Sequence, residues 1–179
     1  MSERRPADRI GPEEFERLAT SAAAELYPEL DVEAMTLVFD LVRVANRLMK
    51  DLEVTVHRPA GVSLAAYRVL FAIRSAGRIV PNELARLSSV STASMASMLS
   101  TLDRAGLITR EDDPDDGRRQ IIGLTDDGER LVAELIAATN LREQQWAQGL
   151  DPGERVLLVE LLRTWLRFRP AAGAGASAD

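Results

Sequence analysis

The sequence predicts a mainly α-helical chain with one small β-hairpin, and three observations carry that prediction. Apolar residues recur at helical spacing through most of the 179 residues. The period changes to that of strands only over residues 107–124. Prolines, glycines and short hydroxyl or acid residues fall where helices of ordinary length would start and stop.

The elements follow in order. Residues 1–11 are polar and read as a disordered lead-in. Pro12 stands where a first helical residue would, with Glu13 and Glu14 in the favourable first turn, and Phe15, Leu18, Ala22 and Leu26 follow at helical spacing. Pro28 stops this short helix near Tyr27. Asp31 is the next cap, and Met35, Val38, Leu41, Val42, Ala45, Leu48, Met49, Leu52 and Val56 predict a helix of about seven turns, ending before Pro59. So long an apolar face exceeds what a small domain covers, and part of it is expected to meet another chain.

Ser63 caps a third helix to about Ser75, with Leu64, Tyr67, Leu70, Phe71 and Ile73 expected inside. Pro81 opens a short helix with Leu84 and Leu87 inward. Ser91 caps the next, Thr92 to about Ala105, and Gly106 ends it. Leu107–Arg110 and Gln120–Leu124 are strand-like, separated by the turn-rich run Asp112–Gly117. Thr125 starts a long helix to about Gly149 with Leu131, Leu135, Ala138, Leu141 and Trp146 on one side. Asp151, Pro152 and Glu154 form a cap for a last helix to about Phe168, and residues 170–179 read as a flexible tail.

Composition narrows the function. The chain has no cysteine and one histidine, His57, so disulfides, thiol chemistry and Cys-based zinc sites are excluded, and no metal site is expected. No Gly-x-Ser-x-Gly, Ser-x-x-Lys or phosphate loop occurs, so neither an enzyme nor a cofactor is expected. No apolar run approaches the roughly 18–20 residues of a membrane span, and the N-terminus carries no apolar leader. The expected location is the cytoplasm, with no membrane partner. A net charge of −6 disfavours binding nucleic acid through bulk charge, yet permits a few arginines gathered on one face.

Two short helices joined by a tight turn and followed by a hairpin make a winged helix-turn-helix. The second short helix has an apolar stripe, Met95, Met98, Leu99 and Leu102, and a polar side with Ser91, Ser94, Ser97, Thr101 and Arg104. Small hydroxyl side chains allow close approach to base edges and phosphates. Arg118 and Arg119, beside Asp116, sit at the hairpin tip, where a narrow projection suits a minor groove. The same arginines could also be loop charges paired with the neighbouring aspartates.

Gly106–Leu107–Ile108–Thr109–Arg110, Asp113–Pro114–Asp115–Asp116–Gly117–Arg118–Arg119 and Leu124–Thr125 resemble the wing of MarR-family regulators. Leu84–Ala85–Arg86 and Val90–Ser91–Thr92 resemble the approach to their recognition helix. The resemblance covers roughly residues 32–168. It implies a ligand-responsive homodimeric repressor that binds double-stranded DNA at a pseudo-palindromic operator. It also implies that Arg118 enters the minor groove, positioned by Asp116. The expected DNA-binding set is Ser91, Thr92, Ser94, Ser97, Arg104, Arg110, Asp116, Arg118 and Arg119. Many relatives have arginine where this chain has Ser97, so base readout is expected to lean more on the wing and on DNA shape.

The implied organisation is an N-terminal extension with an extra helix (1–30), a helical dimerisation region (31–62 and 125–169), a winged helix-turn-helix (63–124) and the tail (170–179). Many members of the family respond to a small aromatic or phenolic ligand. A pocket of His57, Arg58, Tyr67 and Phe71 would suit an aromatic carboxylate. The other reading of His57 is an exposed or helix-end histidine favourable to the dipole. The alternative function is a winged dimer that serves as a protein-interaction module without useful DNA affinity.

Overall fold

A computed structural model describes residues 10–88, 90–114 and 119–170. Their order is α1 (Pro12–Leu26), α2 (Val32–Leu52), a π-helical turn (Glu53–His57), α3 (Leu64–Ala76), α4 (Pro81–Ser88), α5 (Thr92–Arg104), β1 (Ile108–Asp112), β2 (Gln120–Leu124), α6 (Asp126–Ala147) and α7 (Pro152–Arg167). The expected disordered lead-in and flexible tail lie almost wholly outside the described residues. By its contacts the chain divides into two units, residues 1–53 and 54–179.

In the first unit α1 packs on α2. The rings of Phe15 and Phe39 lie 6.0 Å apart. Arg43 crosses the Phe39 ring at 5.5 Å and pairs with Glu16 at 2.7 Å. Asp31 caps α2 by accepting a hydrogen bond from the Ala34 amide at 2.9 Å, as its sequence position predicts. Leu37, Val38, Leu41, Val42 and Val44 remain exposed along α2.

The second unit holds the core. Val69, Leu70 and Ile73 of α3 meet Leu84 of α4, Met95, Leu99 and Leu102 of α5, Ile108 and Ile122 of the hairpin, and Val132 of α6. The hairpin pairs Ile108 with Leu124 and Asp112 with Gln120. Two strands alone are marginal, and Ile79 supports them by exchanging backbone hydrogen bonds with Ile122 at 2.9 and 3.1 Å. Thr125 fastens the hairpin to α6. Its hydroxyl donates to the Gly106 carbonyl at 2.7 Å and accepts from the Gly128 amide at 3.0 Å. Asp151 and Glu154 close the predicted capping box of α7. No side chain of α7 is buried.

Two expected inward positions are corrected. Phe71 and Leu87 are exposed. On α3 Leu70 and Ile73 are buried as expected, and Ala66, Val69 and Ala72 join them in place of Phe71, because this helix is apolar on several sides. On α6 the inward line is Gly128, Val132, Leu135 and Thr139, so of the side read from the sequence Leu135 is buried, Leu131 and Trp146 are half-buried, and Ala138 and Leu141 are exposed.

Candidate nucleic-acid interface

Helix α5 is built as a two-sided element. Met95, Leu99 and Leu102 are buried, and Met98 packs partly against them. This fixes the opposite side outward, so Ser91, Ser94, Ser97, Thr101 and Arg104 are all exposed. Several of these groups are already engaged. The Ser91 hydroxyl caps the helix, accepting from the Ser94 amide at 3.2 Å and donating to the Ser94 hydroxyl at 2.9 Å. Thr101 donates back to the Ser97 carbonyl at 3.0 Å, and Arg104 to the Ser100 carbonyl at 3.3 Å. The Ser97 hydroxyl has no such bond among the described residues. Beside this face lies an open groove of about 680 Å³, lined by Ser94, Ser97, Met98 and Thr101 of α5 with Val62 and Ala66.

The hairpin projects directly after α5. Gly106 adopts φ 69° and turns the chain. At the far end the Asp113 amide donates to the Arg119 carbonyl at 2.9 Å. Asp116 and Arg118 lie outside the described residues, and so does the side chain of Thr92. Arg110 differs from the other described members of the expected set. It is only 28% exposed, and its Nε lies 3.1 Å from Oδ2 of Asp103 on α5. The N–H is poorly aligned with that oxygen, so the attraction is mainly that of two close charges.

Of the expected ligand-pocket residues, three form a row of rings. His57 and Tyr67 stack at 4.5 Å, and Tyr67 and Phe71 approach at 5.9 Å. His57 ends the π-helical turn, as the helix-end reading has it, but it is fully buried rather than exposed. The cause is local. His57 is the last residue of the π turn Glu53–His57, and a π turn takes about one residue more than an α turn, so its end faces roughly 100° from where α periodicity places it. Arg58 is exposed. Burial pushes the Tyr67 phenol above its ordinary pKa of 10.0; the neighbouring Thr139 hydroxyl opposes the shift and the Glu143 carboxylate adds to it.

Phe71 opens into a groove of about 460 Å³ with Arg68, Ala72, Ser75, Leu87 and Ser88. Sequence reasoning missed Arg68, although it stands three residues before Phe71 and so shares its side of the helix.

The MarR family model matches residues 60–119, from the loop before α3 to the second wing arginine. A helix-turn-helix transcriptional regulator of Bacillus subtilis, YwaE, is 28% identical over 134 residues, covering 75% of this chain and 78% of the relative. A MarR variant from Escherichia coli, solved with operator DNA, superposes with a TM-score of 0.69 at 26% identity, covering 77% of this chain and 99% of that one. Over residues 60–119 the chain matches the MarR family. These likenesses support a DNA-binding transcriptional regulator with a winged helix, and the relatives are regulators rather than enzymes. BpsR of Bordetella bronchiseptica, whose DNA binding is regulated by 6-hydroxynicotinic acid, is also similar. It has a TM-score of 0.67 at 27% identity, covering 73% of this chain and 98% of that one. No helix among the described residues is long and apolar enough to cross a membrane.

Proposed function

We propose that this chain is a homodimeric repressor whose two α5 helices and two wings engage a pseudo-palindromic operator, and whose affinity falls when a small aromatic acid binds. The observation that carries the reading is the exposed hydroxyl face of α5, held outward by a buried apolar stripe and followed at once by the hairpin. Successive major grooves lie about one helical turn apart, so two copies held at a fixed spacing read two half-sites. Arg118 and Arg119 supply the wing contacts, with Asp116 positioning Arg118. Ser94 and Ser97 lie on the major-groove side.

The ligand-responsive part rests on His57, Tyr67 and Phe71, with Arg58 or Arg68 as the cation for a carboxylate. The ligand of BpsR is an aromatic acid of the matching kind. Such a ligand switches the protein only by binding one spacing of the two wings better than the other.

The test is fluorescence anisotropy with a duplex selected from random DNA by the wild-type protein, against a scrambled duplex, over a salt series. Sequence-specific binding that weakens with salt and with Arg118→Ala supports the repressor reading. Equal, weak binding to both duplexes sinks it and favours a winged dimer that binds another protein, as the net charge of −6 would suit.

A further inference from the structure

Strand β1 is gripped on both of its faces by ion pairs. Alternate residues of a strand point to opposite sides. Arg110 faces α5 and pairs with Asp103 at 3.1 Å, while Glu111 faces the other way and pairs with Arg78 at 2.6 Å. The two pairs differ in exposure. Arg78 and Glu111 are each more than half exposed, whereas Arg110 is 28% exposed with its Nε buried. Arg110 also reaches across the hairpin, donating to Oε1 of Gln120 at 3.4 Å. Because Arg110 is registered opposite Ile122, Gln120 is its diagonal neighbour on the same face. One guanidinium thus touches the last turn of α5 and both strands of the hairpin.

We propose that Arg110 is a positioning residue, and that the Asp103–Arg110–Gln120 link sets the angle between recognition helix and wing that operator binding needs. This rests on the DNA-binding reading above and refines it, since Arg110 then leaves the set of direct DNA contacts. The arrangement favours this role for a physical reason. A cation already beside a carboxylate has little charge left to offer a phosphate. A planar guanidinium with several donors can meanwhile hold an acid and an amide at once. Ile108 and Ile122 seat the hairpin in the core and Ile79 supports it through β2, whereas the Asp103–Arg110 pair ties β1 to the recognition helix itself.

The link is tested with full-length Asp103→Asn, Arg110→Gln, the double variant and Arg78→Gln, each in the wild-type and Arg118→Ala backgrounds. The probe is the selected duplex, used at a temperature where every variant is folded. Asp103→Asn removes an acid from a DNA-facing region, so without a positioning role it would tighten binding. The expected result is about tenfold weaker operator binding for Asp103→Asn and for Arg110→Gln, with the double variant no weaker than the worse single. The slope of log K against log salt stays unchanged, because no phosphate contact is lost. In the Arg118→Ala background these losses shrink below about twofold, and Arg78→Gln changes little in either.

A salt slope reduced by about one in Arg110→Gln, with Asp103→Asn neutral or tighter, overturns the proposal and makes Arg110 a phosphate contact. Losses that persist at full size beside Arg118→Ala also overturn it, because a general defect of the fold would not depend on the wing. If the wild type itself shows no specific binding, the DNA reading has failed, and hydrogen exchange then decides the link. Faster exchange at the amides of β1 and β2 in Asp103→Asn, with α3 unchanged, upholds it; unchanged exchange in the hairpin rejects it.

Discussion

Gly128 shows how one missing carbon sets the geometry of the winged unit. A Cβ built there would stand 2.0 Å from the Leu107 carbonyl oxygen and 3.0 Å from its carbon. The first turn of α6 therefore lies against the start of the hairpin only because this residue has no side chain. Gly128→Ala must push backbone from backbone, so its cost is expected near the upper end of overpacking, about 3 kcal/mol. Gly61→Ala is the comparison. Gly61 has φ 79° with open space around it, so only the left-handed strain remains, about 1–2 kcal/mol. Urea unfolding of the two variants checks this, and equal losses would mean that α6 shifts freely. Tyr67 supplies a second prediction at this scale. The unfolded phenol ionises near pH 10.0 and the native one later. Above that pH the native state holds more protons than the unfolded state, so stability falls as pH rises until the native phenol also ionises. Tyr67→Phe removes this dependence, and its stability should decline less steeply above about pH 10 than that of the wild type. Parallel curves for the two proteins would remove the linkage.

Helix α7 is held at its start by its own sequence rather than by burial. Asp151 accepts from the Glu154 amide at 2.9 Å, and Glu154 accepts from the Asp151 amide at 2.8 Å. Asp151→Ala should therefore weaken the first turn by about 1 kcal/mol. Hydrogen exchange would show faster amides there and an unmoved α3, and a uniform change would contradict a purely local cap. Signals of this kind are written in adjacent residues, which is why the boundaries of the helices and the place of the hairpin could be read before the structure. Asp31, Ser63, Ser91, Thr125 and Asp151 all cap the helices they were expected to cap. The inward side of a helix is written less clearly. On α3 the stripe read from the sequence is Leu64, Tyr67, Leu70, Phe71 and Ile73, yet Ala66 and Val69 are buried beside Leu70 and Ile73 while Phe71 is exposed, and only packing makes that choice. His57 escaped for a different reason, since a π turn leaves no mark in the apolar period. Asp103 was passed over because its partner, Arg110, lies in another element, and sequence spacing carries no information about that contact.

At the scale of the whole molecule, apolar surface is left over. In α7, Val156, Leu157, Leu158, Val159, Leu161 and Leu166 are all exposed, and α2 adds Leu37, Val38, Leu41, Val42 and Val44. Patches of this extent are rare on a monomer and mark a surface that meets another molecule. In the proposed reading the partner is a second copy, and the dimer gives the two wings their fixed spacing. Leu157→Glu and Leu161→Glu together place two charges on α7. Because no side chain of α7 is buried in the single chain, these changes leave the winged unit folded. The expected result by light scattering is a dimer for the wild type at micromolar concentration and a monomer for the double variant. Operator affinity should fall with it, because a monomer engages one half-site and loses the gain from joining two. Binding should also become less steep in salt, since half of the phosphate contacts disappear. A double variant that remains dimeric would move the interface off α7. A monomer that binds the operator as tightly as the wild type would separate dimerisation from DNA recognition, and the repressor mechanism would then have no fixed spacing for a ligand to change.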